Sequence, residues 1–339
     1  MLRLPQFELF EPTSLAEATR LLVEYGDDAQ LLAGGTDLVP NMKHELFAPR
    51  AVIALARIAE LRGIRVEDDG TLVIGALTTL DELARDERVR ALAPALSQAA
   101  SLVAGPQLRR MGTLGGNVML DTRCQWYNQT YFWRAALGFC LKKDGSACHV
   151  VAGGANCVAA ASNDTAPALM SLDARLTFQD RVARRELAID ALYNADGIHN
   201  KNVRGEILTA IRVPPVPSGH RGAYGKLRER GSIDFPLLGL AARLDLAPSG
   251  EIARAALCAV ALQARPLRLE KASQCLVGER PGTDSFRAAL ERAAESARKQ
   301  CHPLANIPGD PDYRREMVPV YVRRTVAAAL ARGGPVHHV

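Results

Sequence analysis

Four cysteines, Cys124, Cys140, Cys148 and Cys157, fall within 34 residues of a 339-residue chain, with gaps of 15, 7 and 8 residues. Thiolates at this density can hold a zinc ion or an iron–sulfur cluster. The gaps match neither paired C-x₂-C zinc ligands nor the bacterial ferredoxin run, so spacing leaves chance clustering and a metal site both open. Gly138, Gly145 and Gly153-Gly154 precede three of the four cysteines. Turns built on glycine let thiols converge and let backbone N–H groups point at sulfur. Trp126, Tyr127, Tyr131, Phe132 and Trp133 crowd the same stretch, either as a cover over a shielded site or as simple core packing. Cys258 and Cys275 read as small buried hydrophobes, and Cys301 has no specific reading.

A second chemistry is written at Leu31-Leu32-Ala33-Gly34-Gly35-Thr36-Asp37-Leu38. An apolar run enters two glycines, a hydroxyl and a carboxylate, and a helix follows. Backbone N–H groups ahead of a helix N-terminus can cradle a phosphate, and Thr36 adds a hydroxyl donor. Asp37 would repel phosphate, so it is expected to cap the turn or to hold a ribose hydroxyl. Gly112-Thr113-Leu114-Gly115-Gly116-Asn117 echoes the first loop. Two such loops suit a dinucleotide with two phosphates. A Gly-Gly pair is also an ordinary turn, and neither loop is the G-x-G-x-x-G fingerprint. No nucleophile–base pair, catalytic carboxylate pair or histidine ligand grouping is evident, and His337-His338 reads as a tail feature.

The elements that must position these residues divide into three units. In residues 1–56, Ser14-x-x-Glu17 opens a helix at 15–25, and strands near 31–33 and 51–55 flank a helix near 39–47, a small βαβ-like unit. Residues 57–216 form a larger mixed α/β unit. It has a hairpin at Asp68-Asp69-Gly70, a capped helix after Thr79, a helix at 92–103, and strands at 174–178 and 207–213. Pro214-Pro215-Val216-Pro217 reads as a linker. Residues 217–339 carry three antiparallel strands, at 223–230, 237–246 and 253–263, and helices near 267–276, 284–300 and 313–330. The fold class is α+β.

Bulk composition narrows the function. A hydrophobic content of 48% and a charged content of 23% are those of a globular chain. The net charge of +5 is mild and no basic run stands out, so nucleic acid is excluded as a partner. No apolar run approaches the roughly 18 residues of a membrane span. The first residues lack a signal-peptide apolar core, so a cytoplasmic location with reduced cysteines is expected.

The two glycine loops in this order, with Asn163-Asp164-Thr165-Ala166-Pro167, Gly205-Glu206-Ile207-Leu208 and Lys226, resemble the FAD-binding subunit of the molybdenum hydroxylases, the xanthine dehydrogenase and carbon monoxide dehydrogenase family. The resemblance implies that both loops hold the FAD diphosphate, through residues Leu31 to Leu38 and Thr113, Gly116 and Asn117. It also implies that Val103, Asp164, Leu208 and Lys226 lie at the cofactor. In most of the family the second loop leads quickly to the aspartate that Asp164 resembles. Here 46 residues intervene, an insertion at about 119–161 that holds all four clustered cysteines. One branch is similar, the β subunit of 4-hydroxybenzoyl-CoA reductase, whose insertion binds an extra [4Fe–4S] cluster. That likeness implies Cys124, Cys140, Cys148 and Cys157 as ligands, with zinc as the alternative occupant.

The implied partners are a large subunit with the molybdenum cofactor and substrate pocket and a small subunit with [2Fe–2S] clusters, arranged as a dimer of heterotrimers. Reduced ferredoxin would feed [4Fe–4S], then FAD, [2Fe–2S] and molybdenum, where the phenolic hydroxyl of 4-hydroxybenzoyl-CoA is removed. The alternatives are an ordinary xanthine, aldehyde or CO-type hydroxylase subunit, or a non-redox binding or assembly protein with structural zinc.

Overall fold

The structure, a computed structural model, describes residues 2–331; His337-His338 lie outside the described residues. Its first sheet holds β1 (Glu8–Phe10), β2 (Ala29–Leu32) and β3 (Ala51–Ala54). Every residue of β3 is buried, as a strand with neighbours on both edges and packing on both faces must be. It lies between β1 and β2 and is parallel to each. The helix Leu15–Tyr25 links β1 to β2, with Ser14 Oγ accepting from Glu17 N and Glu17 Oε2 accepting from Thr13 N. β2 runs into the first glycine loop and the short helix Leu38–Lys43.

The second sheet is antiparallel throughout. It contains β4 (Ile64–Val66), β5 (Leu72–Gly75), β6 (Arg175–Gln179), β7 (Arg184–Ala188) and β8 (Ile207–Val213), in the order β4-β5-β8-β6-β7. The helix expected over 92–103 is Pro94–Leu102, and a separate helix, Glu87–Leu92, precedes it. Pro94 lacks an N–H and takes the first position of its helix, where none is needed, so the break falls just before it.

The third sheet holds β9 (His220–Leu227), β10 (Leu238–Leu246), β11 (Ile252–Val260) and β12 (Leu267–Arg268), in the order β12-β11-β10-β9. The two-residue β12 adds an edge to the three expected strands, and the helix expected from residue 267 is confined to Glu270–Gln274. Side chains alternate across this sheet. Tyr224, Ala241 and Cys258 pack toward the middle unit. Leu240, Ala242, Leu257 and Ala259 pack against the helices Asp284–Gln300 and Pro311–Leu330.

The insertion leaves and rejoins the fold at a neck, where Arg123 and Ala160 exchange two backbone hydrogen bonds of 2.7 Å. It carries one short helix, Tyr131–Ala136. The buried Arg134 donates to the carbonyls of His44 and Glu45, at 3.3 and 3.0 Å, and so ties the insertion to the end of helix Leu38–Lys43. Among the described residues no helix is long and apolar enough to cross a membrane.

Candidate dinucleotide cleft and thiol cavity

A cleft of about 360 Å³ opens between the first unit, the second glycine loop and the loop after β9. That is a size ligand sites commonly have. Of the residues expected at a dinucleotide, all but Leu32, Leu208 and Lys226 border it. Leu32 lies under Gly35, its Cδ1 3.2 Å from where a Cβ on that glycine would stand. Leu208 is buried in the core of the second sheet. Lys226 stands behind Asp164.

The two glycine loops do different work. In the first, Gly35 takes a φ of 71°. Among the described residues no protein acceptor takes the N–H groups of Gly35, Thr36 or Asp37. The second loop is the helix Leu114–Val118, and its donors are occupied. Leu114 N donates to Thr78 O, Gly115 N to Ala76 O, Gly116 N to Thr113 Oγ1 and Asn117 N to Thr113 O. The expectation that both loops offer a cradle of N–H groups is therefore corrected. The first offers the open donors, and the second offers a close approach at Gly116 and the Asn117 side chain. Asn117 Oδ1 accepts from Thr165 N and Oγ1, at 3.0 and 2.6 Å, which leaves its amide NH₂ as the donor for the cleft.

Asp37 makes no capping bond, so that reading is also corrected. It pairs with Arg123 and accepts from Asn41 Nδ2 at 3.1 Å. The Arg123 guanidinium lies 4.5 Å over the Phe235 ring. The cation answers the carboxylate that would otherwise repel a phosphate in this cleft.

Asp164 forms part of the cleft wall and is almost fully buried. Its Oδ2 accepts from Lys226 Nζ at 3.0 Å and its Oδ1 from Tyr224 OH at 2.8 Å. Lys226 also donates to Leu102 O and Asp234 O, at 2.9 and 2.8 Å. Burial pushes the Asp164 carboxyl up from its usual range, against the pull of Lys226 and the tyrosine hydroxyl. Breaking such a buried pair strands a charge, at a cost of about 3–5 kcal/mol. We expect Lys226→Met to lower the Tm on the order of 10 °C, and the double variant Asp164→Asn/Lys226→Met to recover part of the loss. Thermal unfolding checks this; equal Tm values for the single and double variants would speak against the pair.

The four clustered cysteines are free thiols, and all four line one small cavity with Trp126, Tyr127, Lys142 and His149. Val151 N and Ala159 N point at the sulfurs of Cys148 and Cys157, each at 3.5 Å. Gly197 lets its loop close on the site, because a Cβ there would stand 2.6 Å from Cys157 Sγ. Burial pushes the Cys124 thiol up to about 11 and raises that of Cys157. Thiols held this way stay protonated until a metal displaces the proton. The cavity, about 20 Å³, would have to open to admit a cluster. Among the described residues no three His, Cys, Asp or Glu side chains are grouped closely enough to hold a metal ion, so the thiols would have to draw together around either occupant. Four thiolates on one zinc, at about 2.3 Å each, must crowd together. Four cysteine thiols are a donor set that suits a tetrahedral zinc or a [4Fe–4S] cluster alike, so the residue types fit either occupant.

Of the aromatic residues, Trp126 and Tyr127 border the cavity. Phe132, 83% exposed, is neither cover nor core, whereas Trp133 packs on Trp126 with ring centroids 6.0 Å apart and so backs the cavity wall, and Tyr131 packs on Phe139 at 5.5 Å. Cys258 is buried as expected, whereas Cys275 is only half-buried and donates to Lys271 O. Cys301 is buried at the end of helix Asp284–Gln300. Sequence reasoning missed Arg123, Lys142 and Gly197. Arg123 adjoins Cys124 and Lys142 follows Cys140 by two residues, which was the available signal; nothing local marks Gly197.

The family model described as FAD binding domain in molybdopterin dehydrogenase matches residues 5–216, and CO dehydrogenase flavoprotein C-terminal domain matches 223–329. The carbon monoxide dehydrogenase medium chain of Hydrogenophaga pseudoflava is 32% identical over 332 residues, covering 97% of this chain and 98% of its own length. The xanthine dehydrogenase FAD-binding subunit of Escherichia coli O157:H7 is 28% identical, with 95% of each chain covered. A solved structure of the Hydrogenophaga pseudoflava carbon monoxide dehydrogenase, in a form lacking the Mo-pyranopterin moiety, superposes with a TM-score of 0.80 at 30% identity. It covers 97% of this chain and 99% of that one.

Proposed function

The chain belongs to the FAD-binding subunits of the molybdenum hydroxylases, and from that premise we propose that it carries electrons between redox groups and leaves substrate chemistry to a partner subunit. One observation carries the assignment to this cleft: the open N–H donors of Gly35, Thr36 and Asp37 border a cavity whose wall includes the buried Asp164, held from behind by Lys226. Thr36 and the Asn117 amide complete the donor set, and Arg123 answers the charge of Asp37. FAD, when bound, exchanges electrons in pairs and can also take them one at a time. The protein's residues place it and tune it. The partners would be a large subunit with the molybdenum cofactor and a small subunit with [2Fe–2S] clusters, in a cytoplasmic dimer of heterotrimers.

The finer reading adds a [4Fe–4S] cluster on Cys124, Cys140, Cys148 and Cys157. Its support is the convergence of four free thiols on one cavity, inside one necked insertion. On this reading the complex is 4-hydroxybenzoyl-CoA reductase and ferredoxin is the donor. The second reading is an ordinary hydroxylase subunit, and it is favoured by the names of the relatives, a carbon monoxide and a xanthine dehydrogenase. Visible spectroscopy with iron, sulfide and flavin analysis on anaerobically purified protein separates them. The cluster reading expects FAD with about four iron atoms per chain. FAD without iron selects the ordinary hydroxylase. Zinc without flavin would overturn both and select a structural zinc protein.

A further inference from the structure

A polar partition separates the thiol cavity from the dinucleotide cleft. Lys142 borders the first and Asp121 the second. The Lys142 ammonium donates to Asp121 Oδ1 at 2.8 Å, Thr122 Oγ1 at 2.6 Å and Gly197 O at 2.7 Å, and its side chain is 6% exposed. A second ammonium stands beside it. Lys201 Nζ donates to Leu120 O and Asn200 Oδ1, at 2.8 and 3.2 Å. Asn200 in turn donates to Asp121 Oδ1 at 2.7 Å.

The partition therefore holds two ammonium groups and one carboxylate; the other oxygens these ammoniums touch are neutral. A surplus cation enclosed by protein is costly unless an anion lies close by. Lys201 is half-buried by surface, with its ammonium the enclosed end, and burial pushes that group down to about 8. The surplus charge adjoins four thiols, which as thiolates on a cluster would supply the missing negative charge.

We propose that Lys142 is a positioning residue that couples the thiol site to the dinucleotide site and raises the reduction potential of a cluster bound there. The inference rests on the cluster reading above. Adding an electron makes a thiolate-bound cluster more negative, and a fixed cation nearby stabilises that state. Net charge and hydrogen bonding around the sulfurs are known levers on such potentials. Asp121 works in the opposite sense, since its carboxylate offsets one of the two cations.

The test uses the intact complex with Lys142→Met and, separately, Asp121→Asn. Cluster potentials are read by redox titration followed by electron paramagnetic resonance, alongside iron and FAD content. Lys142→Met should shift the cluster's one-electron equilibrium at least tenfold toward the oxidised form, about 59 mV. Asp121→Asn should shift it the other way. A merely structural role would not reverse sign between the two. A cluster present in the native complex and unmoved in Lys142→Met overturns the inference. Should Lys142→Met fail to retain its cluster, Asp121→Asn decides: a raised potential upholds the coupling and an unchanged one refutes it. A native complex without iron overturns the cluster reading itself, and the coupling with it, which sets that failure apart from an unmoved potential.

Discussion

Replacing Gly34 by valine is expected to leave the purified protein without its flavin. A Cβ at this position would stand 1.8 Å from Met111 O and 2.5 Å from Met111 C. Both are backbone atoms, so neither can rotate aside. The substitution must push the first glycine loop away from the segment that enters the second, and the open donors of Gly35 to Asp37 move with it. We expect FAD affinity to fall at least a hundredfold, which is about 2.8 kcal/mol. Gly116→Leu should reach a similar loss by another route. A Cβ there meets only Thr113 Oγ1, at 3.1 Å, and a larger side chain grows into the cleft. That variant should keep its fold and lose its ligand. Flavin content after dialysis and calorimetric titration with FAD measure both. Full, tightly bound FAD in both variants would show that these loops do not hold the cofactor.

The second large effect concerns iron. Changing Cys124, Cys140, Cys148 or Cys157 to serine puts a harder oxygen where iron prefers thiolate. Each variant should lose most of its iron and sulfide and keep most of its FAD, because the dinucleotide cleft lies outside the neck. Cys258→Ala and Cys275→Ala should leave the iron unchanged, since these residues sit in or against the third sheet, away from the cavity. Turnover driven by a low-potential one-electron donor should drop in the four serine variants, while turnover driven by a dye that reaches FAD directly should suffer less. Full iron and sulfide in all four, or stoichiometric zinc in the native protein, is the outcome that removes the cluster.

Much of this architecture is legible in the sequence because most of the strands that matter are apolar runs. β8 and β10 are buried along nearly their whole length and announce themselves. β7 does not. Its sequence, Arg184-Arg185-Glu186-Leu187-Ala188, has no hydrophobic period, and the strand exists because β6 offers an edge. Charges on an edge strand also discourage pairing with a second chain. β1 is three residues long and mostly exposed, too short for periodicity to register.

The site divides the same way. The glycine loops and the cysteine cluster stand out by residue type. Which N–H groups remain open does not, because Leu114 and Gly115 spend theirs on Thr78 and Ala76, contacts of tertiary structure. The Asp164–Lys226 pair joins residues 62 positions apart and is invisible to local pattern, so only family likeness placed both at the cofactor.

The neck between Arg123 and Ala160 has a consequence for modularity. Once two strands of chain are pinned together, the entropy of the loop beyond them grows only with the logarithm of its length, about 0.6 kcal/mol per doubling. On chain entropy alone the excursion can lengthen or shorten at little cost to the base, while Arg134 and Lys142 tie its present contents to the end of helix Leu38–Lys43 and to Asp121. Arg123 serves both sides of this boundary. Its backbone closes the loop, while its side chain pairs with Asp37 in the cleft below. The insertion is thus a cartridge on a socket, and a molecule with a different excursion above the same pinch would keep the Arg123–Asp37 pair while remaking the contacts at Asp121.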